Sequence, residues 1–197
     1  GDLTGAALST ALQNSNITIQ ALTDSVGCAS TGASIACGTG STSVDGGDIH
    51  VNDSINATGT HTLTLQAARD INVNKTVTVG GLNLTAVRNV NVSNVVTVNN
   101  SLAVNYGATL SGSTFTANSS VLPSESHALN MKMNLDGFVG RIDLGQNATV
   151  KINDATYTLI KTASELSALI TDDRNVRAVL INDIDLTSFG VWTPIGG

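Results

Sequence analysis

Two cysteines, nine Asn-x-Ser/Thr tripeptides and a scatter of single acids are the side chains with chemistry to offer in this 197-residue chain. Cys28 and Cys37 stand in Gly27-Cys-Ala-Ser-Thr-Gly-Ala-Ser-Ile-Ala-Cys-Gly38. That spacing is too wide for a CxxC redox or zinc pair, and two cysteines without a nearby His cannot fill a tetrahedral metal site. A small disulfide-closed loop is the expectation, which implies an oxidising compartment; two free thiols in a loop is the alternative. The tripeptides begin at Asn16, Asn52, Asn56, Asn74, Asn83, Asn91, Asn99, Asn118 and Asn147. Each is an acceptor signal for an N-linked sugar, although a chain rich in Asn and Thr also generates the pattern by composition.

Acid chemistry is thinly provided. A glycosidase needs two carboxylates at a defined separation, and a polysaccharide lyase an acidic calcium site with a basic partner, both with aromatic platforms for sugar rings. Asp48, Asp53 and Asp70 are single, and no aromatic precedes Tyr106. Asp48 and Asp70 share a repeat position that Asn89 completes, so they read as turn residues. Asp183 and Asp185, with Asp172 or Asp173, lack EF-hand or Gly-rich nonapeptide spacing and read as strand-end residues. His50, His61 and His127 are isolated, and no GxSxG elbow supports a hydrolase triad. Arg69 and Arg88 share a position too. The expectation is pairing with carboxylates or carbonyls at a corner, with a small anion-binding ridge as the alternative. No catalytic, cofactor-binding or metal residue is expected, and no enzyme.

The elements that would carry these residues follow from composition and period. Charged residues make up 12% and aromatics 3%, while 41% is apolar. Scarce Lys, Glu and Arg argue against an α-rich fold, and abundant Val, Ile and Thr argue for strands. With a net charge of −6 and nine scattered basic residues, no nucleic-acid footprint is present. No apolar run reaches the roughly 18 residues of a membrane span, so no membrane insertion is expected. Gly1 opens no signal peptide, which predicts a position inside a longer or processed precursor.

The repeat is decisive. Leu63-Thr-Leu-Gln-Ala-Ala-Arg-Asp-Ile-Asn-Val-Asn74 matches Leu82-Asn-Leu-Thr-Ala-Val-Arg-Asn-Val-Asn-Val-Ser93 at six of twelve positions, at an offset of 19. Ile49, Ile71 and Val90 form one file, Ile55, Val77 and Val96 a second, and Leu63, Leu82 and Leu102 a third, with periods of 22, 19, 19 and 20 residues. Each unit holds three short segments alternating apolar and polar, the mark of strands with one buried face. Links of a few residues are too short for a helical crossover. The strands therefore pair in parallel by coiling, about 4.8 Å per coil. The expected fold is all-β: a right-handed parallel β-helix with coils of 19–22 residues, with outward Asn72 and Asn91 placed for an amide ladder. Ala11 to Ala21 reads as one more strand. The 32 residues from Ile17 to Ile49 exceed a coil by about a dozen, a surplus assigned to a disulfide-pinned loop protruding from Cys28 to Gly40.

Past about residue 110 the register decays, and all six aromatics lie at or after Tyr106. We divide the chain into a β-helix over residues 1–122 and a small β-rich region with one short helix over 123–197. Phe115 to Ser126 reads as irregular. Strands are expected at Leu129–Met133, Gly140–Leu144, Ala148–Ile152 and Thr156–Ile160, with a hairpin turn at Asn153-Asp154-Ala155. A short helix follows over Ser164–Ile170, with Thr162 as its cap. A strand over Val176–Ile184 comes next, and Trp192-Thr-Pro-Ile-Gly196 opens a further unit.

Taken in order, Ala11-Leu-Gln-Asn-Ser-Asn-Ile-Thr-Ile19, Gly47-Asp-Ile-His-Val51, Leu63 to Val73, Ala148-Thr-Val-Lys-Ile-Asn-Asp-Ala-Thr-Tyr-Thr-Leu-Ile160 and the ending Ile184-Asp-Leu through Trp192-Thr-Pro-Ile-Gly196 resemble the exoproteins of two-partner secretion systems. These are the filamentous haemagglutinin and high-molecular-weight adhesin relatives of Gram-negative bacteria. The resemblance covers nearly the whole chain but not the family's amino-terminal secretion domain. It implies passage through an outer-membrane pore transporter, display on or release from the cell surface, and adhesion to a host-cell receptor, matrix or glycan. Some relatives carry sugars at such sites, so the resemblance makes sugars on the nine Asn acceptors possible as well. Two other functions compete with the adhesin. One is a non-adhesive stalk of a contact-dependent toxin or haem-acquisition exoprotein, which a distinct carboxyl-terminal effector domain would reveal. The other is a polysaccharide-active β-helix enzyme, which a cleft of acids would reveal.

Overall fold

The computed structural model describes residues 3–22, 25–31, 34–39, 47–119, 127–169 and 176–187. The described chain is mostly β and its main sheets are parallel. It begins with helix α1 (Gly5–Leu12) and strand β1 (Ile17–Ala21), followed by β2 (Ser25–Thr31) and β3 (Ser34–Thr39). Three passes then repeat one plan: β4 (Ile49–Val51), β5 (Ile55–Asn56) and β6 (Thr62–Ala67), then β7 (Ile71–Val73) and the long β8 (Val77–Ala86), then β9 (Val90–Val92) and the long β10 (Val95–Asn105). A hairpin of β11 (Thr109–Ser111) and β12 (Thr114–Thr116) precedes a fourth pass. That pass contains β13 (Leu129–Met131), a hairpin of β14 (Met133–Asn134) and β15 (Gly137–Phe138), then β16 (Arg141–Leu144) and β17 (Thr149–Ile152). β18 (Ala155–Ile160), α2 (Ala163–Ala168) and β19 (Ala178–Leu180) close the described chain.

The three apolar files of the sequence are three files of the structure. Ile49 lies on Ile71 and Ile71 on Val90. Ile55 lies on Val77 and Val77 on Val96. Ile17 lies on Leu63, Leu63 on Leu82 and Leu82 on Leu102. All of these pairings are parallel. The pleat sends alternate side chains to opposite faces, so Leu63, Leu65 and Ala67 point inward from β6 while Thr62, Thr64 and Gln66 line its other face. The inward residues join one apolar cluster that runs from Leu8 to Val150.

Four expectations need correction. Ala11 and Leu12 are not strand: Gly5–Leu12 is helical, capped by the Thr4 hydroxyl accepting from the Ala7 N–H. Ala and Leu favour helix, and a helix here turns Leu8 and Leu12, both buried, onto the end of the core. It stands beside β5 in the place of a strand, and the Ser9 hydroxyl accepts the edge N–H of Asn56 at 2.9 Å. Second, the surplus after β1 does not simply protrude. β2 and β3 form an antiparallel hairpin, and β3 lies parallel on β1, continuing the third file outward.

Third, residue 122 marks no end to the parallel stacking. β13 lies on β9, β16 on the first half of β10 and β17 on its second half. The sequence hides this because the pass is interrupted by hairpins and its strands are only half buried. Fourth, Thr114–Thr116 is a strand, not irregular chain, although residues 120–126 lie outside the described residues.

The remaining features fall close to expectation. Asn153 and Asp154 take φ of 47° and 62°, the left-handed pair of a two-residue hairpin, which turns β17 back into the antiparallel β18. α2 carries a full capping box between Thr162 and Glu165. The strand expected over Val176–Ile184 is confined to Ala178–Leu180. Trp192 to Gly196 lies outside the described residues.

Candidate functional site

The chemistry-bearing residues gather where the third file ends and the next pass begins. At this corner each side-chain carboxyl or amide accepts the backbone N–H of its counterpart one pass on. Asp48 Oδ1 takes Asp70 N at 2.9 Å, Asp70 Oδ1 takes Asn89 N at 2.9 Å, and Asn89 Oδ1 takes Ala128 N at 2.9 Å. The arginines run diagonally through the same series. Arg69 Nε lies 3.5 Å from Asp48 Oδ1, and Arg88 grips both Asp70 oxygens, its Nε 3.2 Å from Oδ1. The turn role read for the acids is what the corner requires of them, and both arginines are spent on those acids. No free pair of carboxylates results.

Burial pushes the Asp70 carboxyl upward. The hydrogen bond from Arg88, the Asn89 N–H and the Arg88 charge outweigh it, so Asp70 sits below the ordinary carboxylate value. Arg88 is raised in turn, chiefly by its hydrogen bond to Asp70. A depressed carboxylate contributes stability that is complete above its unfolded pKa and is lost as pH falls through the folded one. Melting temperature should therefore hold at neutral pH and decline as pH drops below about 4, where unfolded carboxylates protonate. Asp70→Asn keeps the acceptor for Asn89 N but has no charge to lose, so its acid decline should be the shallower of the two in thermal scans across that range.

A second ladder crosses the first file. His50, Asn72, Asn91 and Asn130 occupy one outward position in successive passes. Asn91 Nδ2 donates to Asn72 Oδ1 and Asn130 Nδ2 to Asn91 Oδ1, each at 2.8 Å. Gln20 donates to Gln66 at 2.7 Å and Asn74 to Asn52 at 2.9 Å in the same manner. These faces are polar and spaced by the strand repeat, and they can offer hydrogen bonds to an extended or repetitive ligand.

The nine sugar-acceptor positions divide by geometry. Asn16, Asn52, Asn56, Asn74, Asn99 and Asn147 are exposed, and Asn83, Asn91 and Asn118 are half buried. A sugar on Asn91 would have to share the nitrogen that holds the amide ladder. Asn16 and Asn52 use their oxygens in the bonds to Thr62 N and Asn74 Nδ2, leaving nitrogen toward solvent. Cys28 and Cys37 are directly opposed in the register of β2 and β3, an arrangement within reach of the disulfide expected between them; their side chains lie outside the described residues.

Other candidates are dispersed. Asp53 Oδ2 accepts Gly5 N at 3.2 Å at the start of α1, where a carboxylate suits the helix dipole. Asp183 and Asp185 are exposed; Asp185 Oδ1 accepts Thr187 N at 2.8 Å, and the Thr187 hydroxyl and N–H hold its pKa below the usual range. Asp172 and Asp173 lie outside the described residues. Among the described residues, no group of three His, Cys, Asp or Glu is placed to hold a metal, and no helix is long and apolar enough to cross a membrane. One feature escaped sequence reasoning: Met133, Leu135 and Phe138 are exposed on the β14–β15 hairpin. Large apolar residues bracketing the turn pair Asp136-Gly137 were the signal available.

No protein-family model, no curated protein and no solved structure matches the chain.

Proposed function

We propose that this chain is a right-handed parallel β-helical segment of a secreted bacterial surface adhesin of the two-partner secretion kind. In this reading it attaches to host cells or matrix and has no catalytic role. The observation that carries the reading is the register of the three files. Inward Ile, Val and Leu repeat through four passes while the outward positions are given over to Asn, Thr and Gln ladders. Parallel strands joined within one sheet cross over right-handedly almost without exception, which supports the hand. A fold assembled from contacts between neighbouring passes can propagate from one end as it emerges from a pore, which suits export through an outer-membrane transporter. The residues quoted above as resembling the exoproteins support the same reading, and corner acids already engaged by arginines speak for a scaffold.

The test is binding. Purified chain, labelled and applied to cultured epithelial cells and to immobilised matrix and glycans, should bind saturably. It should be displaced by excess unlabelled chain. If it binds none of these while neighbouring segments of the same exoprotein do, the stalk function replaces the adhesin. Turnover of an acidic polysaccharide by the chain would replace both.

A further inference from the structure

The hairpin of β11 and β12 does not follow the advance of the passes; it doubles back. Its root is fixed where Ala108 N donates to Ala86 O at 3.0 Å, one pass behind β10. Gly112, at φ 60°, and Ser113 form its two-residue turn, with Gly placed first as a tight hairpin favours. At the tip Ser113 O accepts from Gln20 Nε2 at 3.5 Å, although Gln20 lies 93 residues earlier, on β1. The parallel register places Gln20 on Gln66 and Gln66 on Thr85, outward positions of β1, β6 and β8. From β8 back through β6 to β1 the distance is about 10 Å, and the residues from Thr109 to Ser113 can span about 16 Å. The hairpin therefore crosses this column of side chains and skips over β6 to reach β1.

Burial gives the hairpin an inner face. Leu110 and Phe115 are directly opposed and half-buried, whereas Thr109, Ser111, Thr114 and Thr116 are exposed. The pleat puts the two apolar side chains on one side. Thr85, one residue from the Ala86 that holds the root, is only 8% exposed although it alternates with Leu84 and points away from the core. Gln20 also donates to Gln66 Oε1 at 2.7 Å, so one amide joins β1, β6 and the hairpin tip. We propose that the hairpin is a clasp. Laid over Gln20, Gln66 and Thr85, it holds β1 and β6 against β8 and ties the start of the stack to chain that follows β10. In a stack of repeats each unit contacts its neighbours alone, so an end can open by itself. Here β1 cannot leave without breaking the bond to Ser113 and uncovering Leu110 and Phe115.

The clasp does not depend on the adhesin reading and can fail or hold separately from it. Native-state hydrogen exchange of the intact chain, read by mass spectrometry, tests it. Phe115→Ser removes half of the apolar seat at a side chain outside the three files and should leave the circular dichroism spectrum unchanged. Amides of β1 and β6 should then exchange about tenfold faster or more. Those of β16 and β17, which stand nearer to Phe115 in the chain and lie beside β10, should keep their rates. A hairpin that serves only its own surroundings would do the reverse. Leu110→Ser empties the other half of the seat, and it decides the matter if Phe115→Ser loses its β spectrum. Acceleration confined to the hairpin and the chain on either side of it overturns the proposal, as do unchanged rates in β1 and β6. So does an equal acceleration of every strand, which would make the hairpin a general contributor to stability and no clasp.

Discussion

Gly140→Ala is expected to destabilise the protein by about 3–5 kcal/mol, at the severe end for a single substitution. A methyl group built there would lie 1.8 Å from Val92 O and 2.8 Å from Lys132 N. Those two atoms are the acceptor and donor of the bond tying the end of β13 to β9, so the added carbon meets backbone on both sides and no side chain can step aside. The chain must separate the third and fourth passes or lose the hairpin base. Urea denaturation should show the midpoint falling accordingly. Gly59→Ala supplies the comparison, because the nearest atom to its new methyl is 3.8 Å away and its cost should stay within about 1 kcal/mol, the ordinary difference between Gly and Ala. Equal midpoints for the two variants would refute the close approach at Gly140.

Leu84→Ala should come next in severity, at about 3–5 kcal/mol. Leu84 is wholly buried and is held between Leu65 of the preceding pass and Val104 of the following one. Truncation leaves a void in the middle of a file, where neighbours fixed by parallel hydrogen bonds on both sides have little freedom to collapse inward. Leu3→Ala, at a leucine 44% exposed, should cost under about 1 kcal/mol, since little area leaves water there. The pair can be compared by chemical denaturation at constant m-value. A Leu84→Ala midpoint no lower than that of Leu3→Ala would mean that the files are not the source of stability.

The files were legible in the sequence because period-two alternation and a recurrence near 20 residues coincide in them. A side chain such as Ile71 must satisfy its own strand and two neighbours at once, and that triple demand leaves only aliphatic residues. Asp70 was legible as a corner residue for a related reason: the corner needs an acceptor for the next pass's N–H, which Asp or Asn supplies. Pairing of Arg69 and Arg88 with acids at a corner was also expected, although which acid each would meet was not. The α1 helix was not legible, because Ala11 and Leu12 stand a few residues before a true strand and the apolar alternation runs back through them. Thr4 as cap and the Ala-Leu composition were the contrary signal. The fourth pass was obscured by its insertions. The β11–β12 hairpin lies within the 39 residues from Val90 to Leu129, nearly two periods, and the β14–β15 hairpin then separates β13 from β16, so the eye finds no regular step. The β14–β15 hairpin, with Met133, Leu135 and Phe138 exposed, depends on surface shape, to which a pattern of burial is blind.

The helix α1 beside β5 and the β2–β3 hairpin beyond β1 together close one extremity of the described molecule. At this end, backbone donors are met by Ser9 and by β3, and Leu8 and Leu12 shut the interior from water. Among the described residues, β13 and β16 at the other end, and β4 at this one, have a paired strand on one side only. Strands paired on both sides, such as β7 and β8, should therefore be the last to exchange their amide protons on heating.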